Sequence, residues 1–337
     1  MNGLVEVFLD DTPGETRGIV ARGGRYERLI IHREDATPQH RLGARCAGRV
    51  AAVEPAFGAA FVDLGAGEPF GFLPGKAVKQ GDRIEVEITA EPRAGKGPTL
   101  KRLEAGEGTP RLLAAGPDVA TRLATIAPGA EIQTGRDAIA ASLEAEEEAR
   151  ATTTVFASWA LDLAVERTRA MVAVDIDFAA MAGRDAGKGR AAANREGMAQ
   201  AARLIRLKGW GGLVAIDLVG AGLNGEVILR EARAAFTEPG AAFGPLSRFG
   251  VLQLSLPWTQ TPVEEVLGAD PAMTRAIEAV RRLRQAILSD TATPRVTLAC
   301  ASADLERIAP LAARLGPRAA VTADPALAVG RFRIDMG

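Results

Sequence analysis

Two short apolar runs, each carrying an aspartate near its end, constrain this chain more than any other feature. Met171–Asp177 reads MVAVDID and Gly212–Val219 reads GLVAIDLV, with a loop and one long helical pattern, Ala191–Lys208, between them. This order predicts a strand–helix–strand unit with two buried, neighbouring strands. We therefore expect Asp175 and Asp217 to emerge close together at one edge of a sheet. Paired carboxylates there are suited to holding a divalent cation against phosphate oxygens.

A simpler interpretation stays open, because a lone aspartate at the end of a strand usually caps a turn. Two strands that end alike, with a third acid at Asp177, favour the metal site. The sequence offers no rival catalytic group, since neither His32 nor His40 stands beside a plausible nucleophile.

Composition limits the classes of function. The 337 residues are 47% hydrophobic, enough for two or three cores, and the net charge of −1 gives no overall positive field that would attract nucleic acid. Cys46 and Cys300 are far apart in apolar runs, so we expect buried thiols and no structural zinc. Neither a secretory signal nor a membrane-spanning run is visible, and we expect a cytoplasmic protein without membrane contact.

The pattern along the chain predicts a multidomain α/β (α+β) protein. Apolar and polar residues alternate over 1–36, which suggests two or three strands. Five short glycine-separated strands over 37–104 suggest a small barrel of the OB-fold type. Residues 105–150 end in an acidic helix, Ala141–Arg150. Residues 151–260 hold the strand–helix–strand unit. Residues 261–337 look like a separate small α/β domain that opens with one helix over about 263–289.

The predicted barrel combines aromatic and basic residues. Exposed rings on such a barrel stack on bases, although alternation suggests that about half of these rings belong to the core. The rings and cations together favour nucleic-acid binding; they are Phe57, Phe61, Phe70, Phe72, Lys76, Lys79, Lys96 and Lys101.

Further cations flank the paired aspartates. Arg184 and Lys188 follow the first strand, and Arg203 and Arg206 lie on the helical pattern. All four could contact an RNA backbone, or they could be an ordinary solvated surface.

A glycine pattern after the second strand suggests a different kind of site. Gly220, Gly222 and Gly225 spell G-x-G-x-x-G between a strand and a helix, as in dinucleotide-binding proteins. The acid that should bind the ribose does not follow a second strand, which disfavours this interpretation.

Several segments together resemble the ribonuclease E/G family. They are AVDIDF, ANREGMAQAARLIRLKGWGGLVAIDLV, LSRFGVLQLS, RVAAVEPAFGAAFVDLGAGEPFGFLP and EPRAGKGPTL. The resemblance covers most of the chain. It implies N-terminal strands left from an RNase H-like region (1–36), an OB-fold RNA-binding domain (37–104), a reduced 5′-sensor-like segment (105–150), a DNase I-like α/β catalytic core (151–260) and a small C-terminal α/β domain (261–337).

The resemblance also implies roles for particular residues. Asp175 and Asp217 match the two aspartates that bind magnesium in the family, and Asp177 takes the place of an asparagine beside the metal. Phe61, Phe72 and Lys96 match RNA-contacting residues of the OB-fold domain.

The chain departs from the family pattern at three places. Residues 257–265 (PWTQTPVEE) lack the cysteines of the family's zinc link, so a zinc-linked dimer is not expected, and whether the protein forms a homo-oligomer stays open. The region between Lys96 and Asp175 is shorter than in the family. Gln133 replaces the arginine of the 5′-monophosphate sensor, and only Thr134 of that motif remains.

The leading prediction is a magnesium-dependent endoribonuclease that hydrolyses single-stranded RNA, with Mn²⁺ as a substitute ion. The metal ligands would be Asp175, Asp217 and Asp177. One alternative is an RNA-binding protein of the same family that does not cleave. The other is a nucleotide-binding enzyme that uses Gly220, Gly222 and Gly225.

Overall fold

The computed structural model describes residues 3–75, 78–179 and 186–336. They form two compact units: the first joins the chain up to Glu146 with the chain from Gln260 onward, and the second is Glu147–Thr259. Seven α-helices and four sheets lie within the described residues, so the mixed α/β class predicted from the sequence is confirmed. The predicted five-part division is finer than these two units and stays a prediction.

The first unit begins with three antiparallel strands, where the alternation over residues 1–36 predicts two or three strands. They are β1 (Val5–Thr12), β2 (Glu15–Arg22) and β3 (Arg25–Arg33). Gly14 adopts a φ of +92° in the turn between the first two strands, a conformation that favours glycine.

Six short strands follow, and five of them close into a ring. They are β4 (Arg45–Glu54), β5 (Ala59–Asp63), β6 (Gly71–Pro74), β7 (Arg83–Ala90), β8 (Thr99–Ala105) and β9 (Arg111–Ala114). The pairing runs β4–β5–β6–β8–β7 and returns to β4, while β9 pairs with β4 outside the ring. The ring encloses an apolar core that includes Val50, Val62, Ile84 and Leu100.

The ring is followed by α1 (Val119–Ile126), β10 (Ile132–Gln133) and α2 (Arg136–Arg150). The sequence-based prediction misses α1 and begins the acidic helix at Ala141 instead of Arg136. Asp118 caps α1 by accepting a hydrogen bond from the backbone N–H of Thr121, and β10 pairs in parallel with β1.

The second unit is one mixed sheet with two helices. Its elements are β11 (Thr153–Phe156), β12 (Leu161–Arg167), β13 (Val172–Phe178), α3 (Ala186–Lys208), β14 (Gly212–Asp217), α4 (Gly225–Ala235), β15 (Ala242–Phe243) and β16 (Val251–Leu256). The strand order is β11–β12–β13–β14–β16–β15, and among these described strands only β13 and β14 pair in parallel. The predicted strand–helix–strand unit is therefore present as β13–α3–β14.

The strands of this sheet are half-buried, whereas the sequence predicts fully buried strands. In β13 the side chains of Val172, Val174 and Ile176 are buried, but Ala173 and Asp175 are exposed. Helix α3 packs against β12 and β13 on the apolar face. The aspartates therefore lie on a solvent-exposed sheet face.

The chain from Gln260 onward returns to the first unit. Its elements are α5 (Val263–Ala269), α6 (Pro271–Ser289), β17 (Val296–Cys300), α7 (Ser302–Ala313), β18 (Ala319–Ala323) and β19 (Phe332–Met336). The single helix predicted over 263–289 is wrong. Asp270 has extended backbone and caps α6 by accepting from the N–H groups of Ala272 and Met273, while Pro271 opens α6, so the chain breaks between two helices.

Buried ion pairs join α6 to the N-terminal strands. Arg281 donates to Asp10 at 2.6 Å and to Glu15 at 2.7 Å, and all three side chains are at most 1% exposed. Burial alone would raise the pKa of Glu15, but the charges of Arg17, Arg281 and Arg33 outweigh it and bring this pKa to about 2.

Two other features bear on the sequence expectations. Both cysteines are buried, as predicted, and burial raises the pKa of Cys46 to about 11. In the described part of the chain, no helix is long and apolar enough to cross a membrane.

Candidate active site

The structure brings Asp175 and Asp217 together as directly opposite residues. They are the last registered pair of the parallel strands β13 and β14. Neighbouring strands are about 4.8 Å apart, and the alternation of side chains puts both carboxylates on the exposed face. Two exposed acids therefore stand side by side where these strands stop pairing.

The local sequence explains why these strands are neighbours. Helix α3 connects them as the crossover that a parallel pair requires. A Cβ atom at Gly197 would lie only 2.7 Å from the Ile176 side chain, so glycine allows α3 to approach β13 closely. Close packing of α3 on the opposite, buried face of the sheet thus stabilises the strands that carry the acid pair.

Two more carboxylates share this face. Asp177 lies two residues beyond Asp175, and Asp162 of β12 is its registered partner. One oxygen of Asp177 already accepts a hydrogen bond from the backbone N–H of Phe178 at 2.7 Å. Strand β12, and with it Asp162, was not predicted, although the alternation of LDLAVER could have indicated that strand.

Electrostatics indicate that these acids interact. Burial, followed by the negative charges of Asp217, Asp177 and Asp162, raises the pKa of Asp175 above its usual value. Like charges directly opposite each other in a sheet destabilise it. A bound cation would relieve this repulsion.

The loop after Asp217 is held by a buried residue that sequence reasoning missed. Asn194 of α3 is fully buried, accepts from the Val219 N–H at 2.8 Å and donates to the Val219 carbonyl at 3.0 Å. Arg190 packs against Gly220, since a Cβ atom there would lie 3.0 Å from the arginine side chain. These contacts fix the path of the chain away from Asp217.

The donor set fits a magnesium-type ion better than zinc. In the parts of the chain that the structure describes, no group of three or more His, Cys, Asp or Glu side chains is arranged to hold a metal. Magnesium needs fewer protein ligands, because it commonly keeps several waters and uses one or two carboxylates together with substrate phosphate. The pair formed by Asp175 and Asp217 meets that smaller requirement.

The four basic residues that were predicted to contact an RNA backbone differ in their surroundings. Lys188 is exposed near the start of α3, and Arg184 lies outside the described residues. Arg203 is only 4% exposed and pairs with Glu148 at 2.7 Å, while Arg206 pairs with Glu238 at 3.1 Å. The prediction of RNA contact is therefore corrected for Arg203 and Arg206, whose guanidinium groups bind within the second unit.

Phe61 and Phe72 form a pair on the strand ring of the first unit. They are registered partners on β5 and β6, their ring centroids are 6.1 Å apart, and the rings meet edge to face. Both are partly exposed and lie outside the ring's buried core.

Lys96 lies on a neighbouring turn. Its backbone pairs with Arg93, and its side chain is exposed. The turn approaches the strand region tightly, since a Cβ atom at Gly97 would lie 1.9 Å from the Phe70 carbonyl oxygen.

The expectation that half of the four clustered rings are structural is wrong. Among the residues that the structure describes, the apolar core inside the closed strands contains no phenylalanine, and Phe57 is 75% exposed. Small and branched residues, such as Ala60 and Val62, fill the narrow interior and leave the aromatic rings outside.

The glycine pattern after β14 does not present a free helix terminus. The Asn224 side chain accepts from the N–H groups of Glu226 and Val227, the donors at the start of α4 that a pyrophosphate would need. Glu226 adds a negative charge in that first turn. Both features disfavour the nucleotide-binding alternative.

Fold and site together define a mixed α/β protein with a pair of carboxylates where two parallel strands stop pairing. The model of the Ribonuclease E/G family matches residues 130–256, the segment that holds Asp175, Asp217 and Asn194. The family resemblance read from the sequence is thereby confirmed over this segment. No match was found among curated proteins.

Proposed function

We propose that this protein is an endoribonuclease that requires a divalent cation, with magnesium as the natural ion, and that it hydrolyses single-stranded RNA. The observation that carries the proposal is the direct register of Asp175 with Asp217 on an exposed sheet face, inside the segment that matches a ribonuclease family.

Each carboxylate has a defined task in this proposal. Asp175 and Asp217 would hold the ion, and Asp177, one oxygen of which accepts from the Phe178 N–H, would orient a water with its other oxygen. When bound, the cation polarises the scissile phosphate and makes a coordinated water more acidic. Asn194 keeps the loop after Asp217 in one conformation, so that the pair meets the ion without rearrangement.

The closed ring of strands β4 to β8 in the first unit supplies the RNA-binding surface in this proposal. Its strand order supports an OB-fold, a five-stranded barrel that binds oligonucleotides. Phe61 and Phe72 offer partly exposed rings on which bases can stack, and Lys96 offers a positive charge for the backbone. We likewise propose that the second unit is the DNase I-like core of the family.

A cleavage assay tests the proposal. A labelled AU-rich single strand is incubated with the wild type, with Asp175→Asn and with Asp217→Asn, each with Mg²⁺, with Mn²⁺ and with a chelator. We expect cleavage by the wild type only with a divalent ion, loss of at least 100-fold in each variant, roughly as for removal of one transition-state contact, and retained RNA binding. Glu166→Gln, on the same face but paired with Ala173, is the matched control and should cleave normally.

The alternative is a member of the family that binds RNA without cleaving it. Among the described residues, two carboxylates are in direct register for a shared ion, and one oxygen of Asp177 already accepts a hydrogen bond from the Phe178 N–H. This small set of free acids favours the second possibility. Binding without cleavage under Mg²⁺ or Mn²⁺ would support it over our proposal.

A further inference from the structure

A large aromatic side chain is exposed close to the acid pair. Phe249 is 74% exposed, in the turn that leads into β16. Exposure of a whole phenylalanine ring to water is unfavourable by about 1.5–3 kcal/mol relative to burial. An apolar ring at the rim of a polar face is therefore a candidate contact surface.

The turn that carries Phe249 is well defined. The Ser247 hydroxyl accepts from the backbone N–H groups of Phe249 at 3.3 Å and of Val251 at 3.1 Å. Gly250 adopts a φ of +83° and donates to the Ser247 carbonyl at 3.1 Å. These hydrogen bonds define the backbone conformation at Phe249, so the ring projects from an ordered turn.

The ring also has a cationic neighbour. The guanidinium carbon of Arg248 lies 4.7 Å from the centroid of the Phe249 ring, within the range of a cation–π contact. This contact orients the ring and places a positive charge beside it. A stacking surface next to a cation suits a nucleotide, which has a flat base and a negative phosphate.

The position of the turn relates Phe249 to the acids. Val251 is the registered partner of Asp217 across β14 and β16. Phe249 comes only two residues before Val251, so its backbone lies within about 7 Å of that pair at a rise of about 3.3 Å per residue. The ring and the acid pair therefore belong to the same end of the sheet.

We propose that Phe249 is a base-stacking site for single-stranded RNA, binding the nucleobase next to the phosphate that a cation at Asp175 and Asp217 would contact. This inference rests on the proposed function and extends it. Stacking is tolerant of base identity, because every base presents a π-face, so the site would fix the position of the substrate rather than its sequence.

The test compares RNAs that carry or lack one base. After the cleavage site is mapped, an abasic nucleotide is placed at each flanking position, and cleavage rates are measured for the wild type, Phe249→Ala and Phe249→Trp. Leu213→Ala is the matched control: Leu213 is 44% exposed on the same face of β14, at the strand's opposite end.

We expect the loss of one flanking base to slow the wild type by about 5- to 150-fold, the range that base stacking corresponds to. The same loss should have no further effect in Phe249→Ala, should keep its effect in Phe249→Trp, and should act on Leu213→Ala as on the wild type. An equal abasic effect in the wild type and Phe249→Ala at every position would overturn the inference.

A second readout separates this inference from the proposed function. RNAs with 2-aminopurine at single positions are bound to Asp175→Asn, with and without Phe249→Ala, and fluorescence quenching is recorded. Quenching at one position that disappears with Phe249→Ala supports stacking even if no variant cleaves, an outcome that would refute only the nuclease. Identical quenching with and without the phenylalanine would refute stacking even where cleavage is robust.

Discussion

Removal of one charge from the acid pair should have opposite effects with and without a divalent ion. In Asp217→Asn, the repulsion that raises the pKa of Asp175 is reduced. Without metal, the variant should therefore be more stable than the wild type. With saturating Mg²⁺, the wild type should be the more stable protein, because the variant has lost half of the ion's binding pair.

The magnitudes follow from the geometry of the pair. Asp175 and Asp217 are exposed and directly opposite, so solvent screens their repulsion to about 0.2–1 kcal/mol. An ion present at about 100 times its dissociation constant stabilises the folded state by about 2.7 kcal/mol. The difference in stability between wild type and variant should thus change sign on addition of Mg²⁺.

The tryptophans allow this measurement on the second unit alone. All three tryptophans of the chain, Trp159, Trp210 and Trp258, lie in the second unit. Urea unfolding followed by tryptophan fluorescence, in a chelator and in Mg²⁺, therefore reports the free energy of unfolding of the unit that contains the acid pair.

Two results would refute the reasoning. If Asp217→Asn is destabilised in the chelator, the carboxylate makes a stabilising contact instead of a repulsive one. If Mg²⁺ stabilises wild type and variant equally, the ion binds elsewhere. Glu166→Gln, an exposed acid on β12 paired with Ala173, should respond to Mg²⁺ as the wild type does.

Three further predictions concern other residues. Phe72→Ala should weaken binding of single-stranded RNA by about 1–3 kcal/mol through lost stacking, measured by fluorescence anisotropy. Asn194→Ala should destabilise the second unit by about 1–3 kcal/mol, because the N–H and carbonyl of Val219 lose their buried partner, measured by tryptophan-detected unfolding. Burial, with the charges of Arg122 and Arg41, lowers the pKa of His32 to about 4, so the folded state favours the neutral imidazole. The free energy of unfolding should therefore be highest above pH 6.5 and fall by roughly 2–3 kcal/mol as the pH drops to 4, measured by calorimetry.

Each of these predictions has a control or a contradicting result. Undiminished RNA binding by Phe72→Ala would remove the ring from the binding surface. An Asn194→Ala variant as stable as the wild type would show that these two hydrogen bonds do not stabilise the second unit. His32→Gln should flatten the pH dependence of stability between pH 6.5 and 4, and an unchanged dependence would assign it to other groups.

Periodicity predicted the elements whose residues alternate or repeat without interruption. The five strands β4 to β8 were found over the range predicted for them, and the unit β13–α3–β14 was found with α3 beginning at Ala186 instead of Ala191. Apolar alternation is a direct consequence of one buried face, so it is visible in the chain itself.

Elements whose burial depends on distant partners were missed or misjudged. The break at Asp270 is local and could have been predicted from the Asp-Pro pair, but the periodic pattern on both sides concealed it. The burial of Arg203 depends on Glu148, far away in sequence, and no local signal separates it from a solvated arginine.

The acid pair was predicted in part from the sequence. The sequence shows two strands that end alike, and the structure adds the register that makes Asp175 and Asp217 direct neighbours. Asp162 and Asn194 reach the same region only through strand pairing and helix packing, which a single sequence does not encode in a recognisable motif.

The most direct test of the account is to locate a bound ion. Crystals soaked in Mn²⁺ should give an anomalous peak between the carboxylates of Asp175 and Asp217, at about 2.0–2.2 Å from one oxygen of each, and Asp217→Asn crystals treated alike should lack it. A peak elsewhere with none at this pair, or an unchanged peak in Asp217→Asn, would contradict the claim that these two aspartates share a divalent cation.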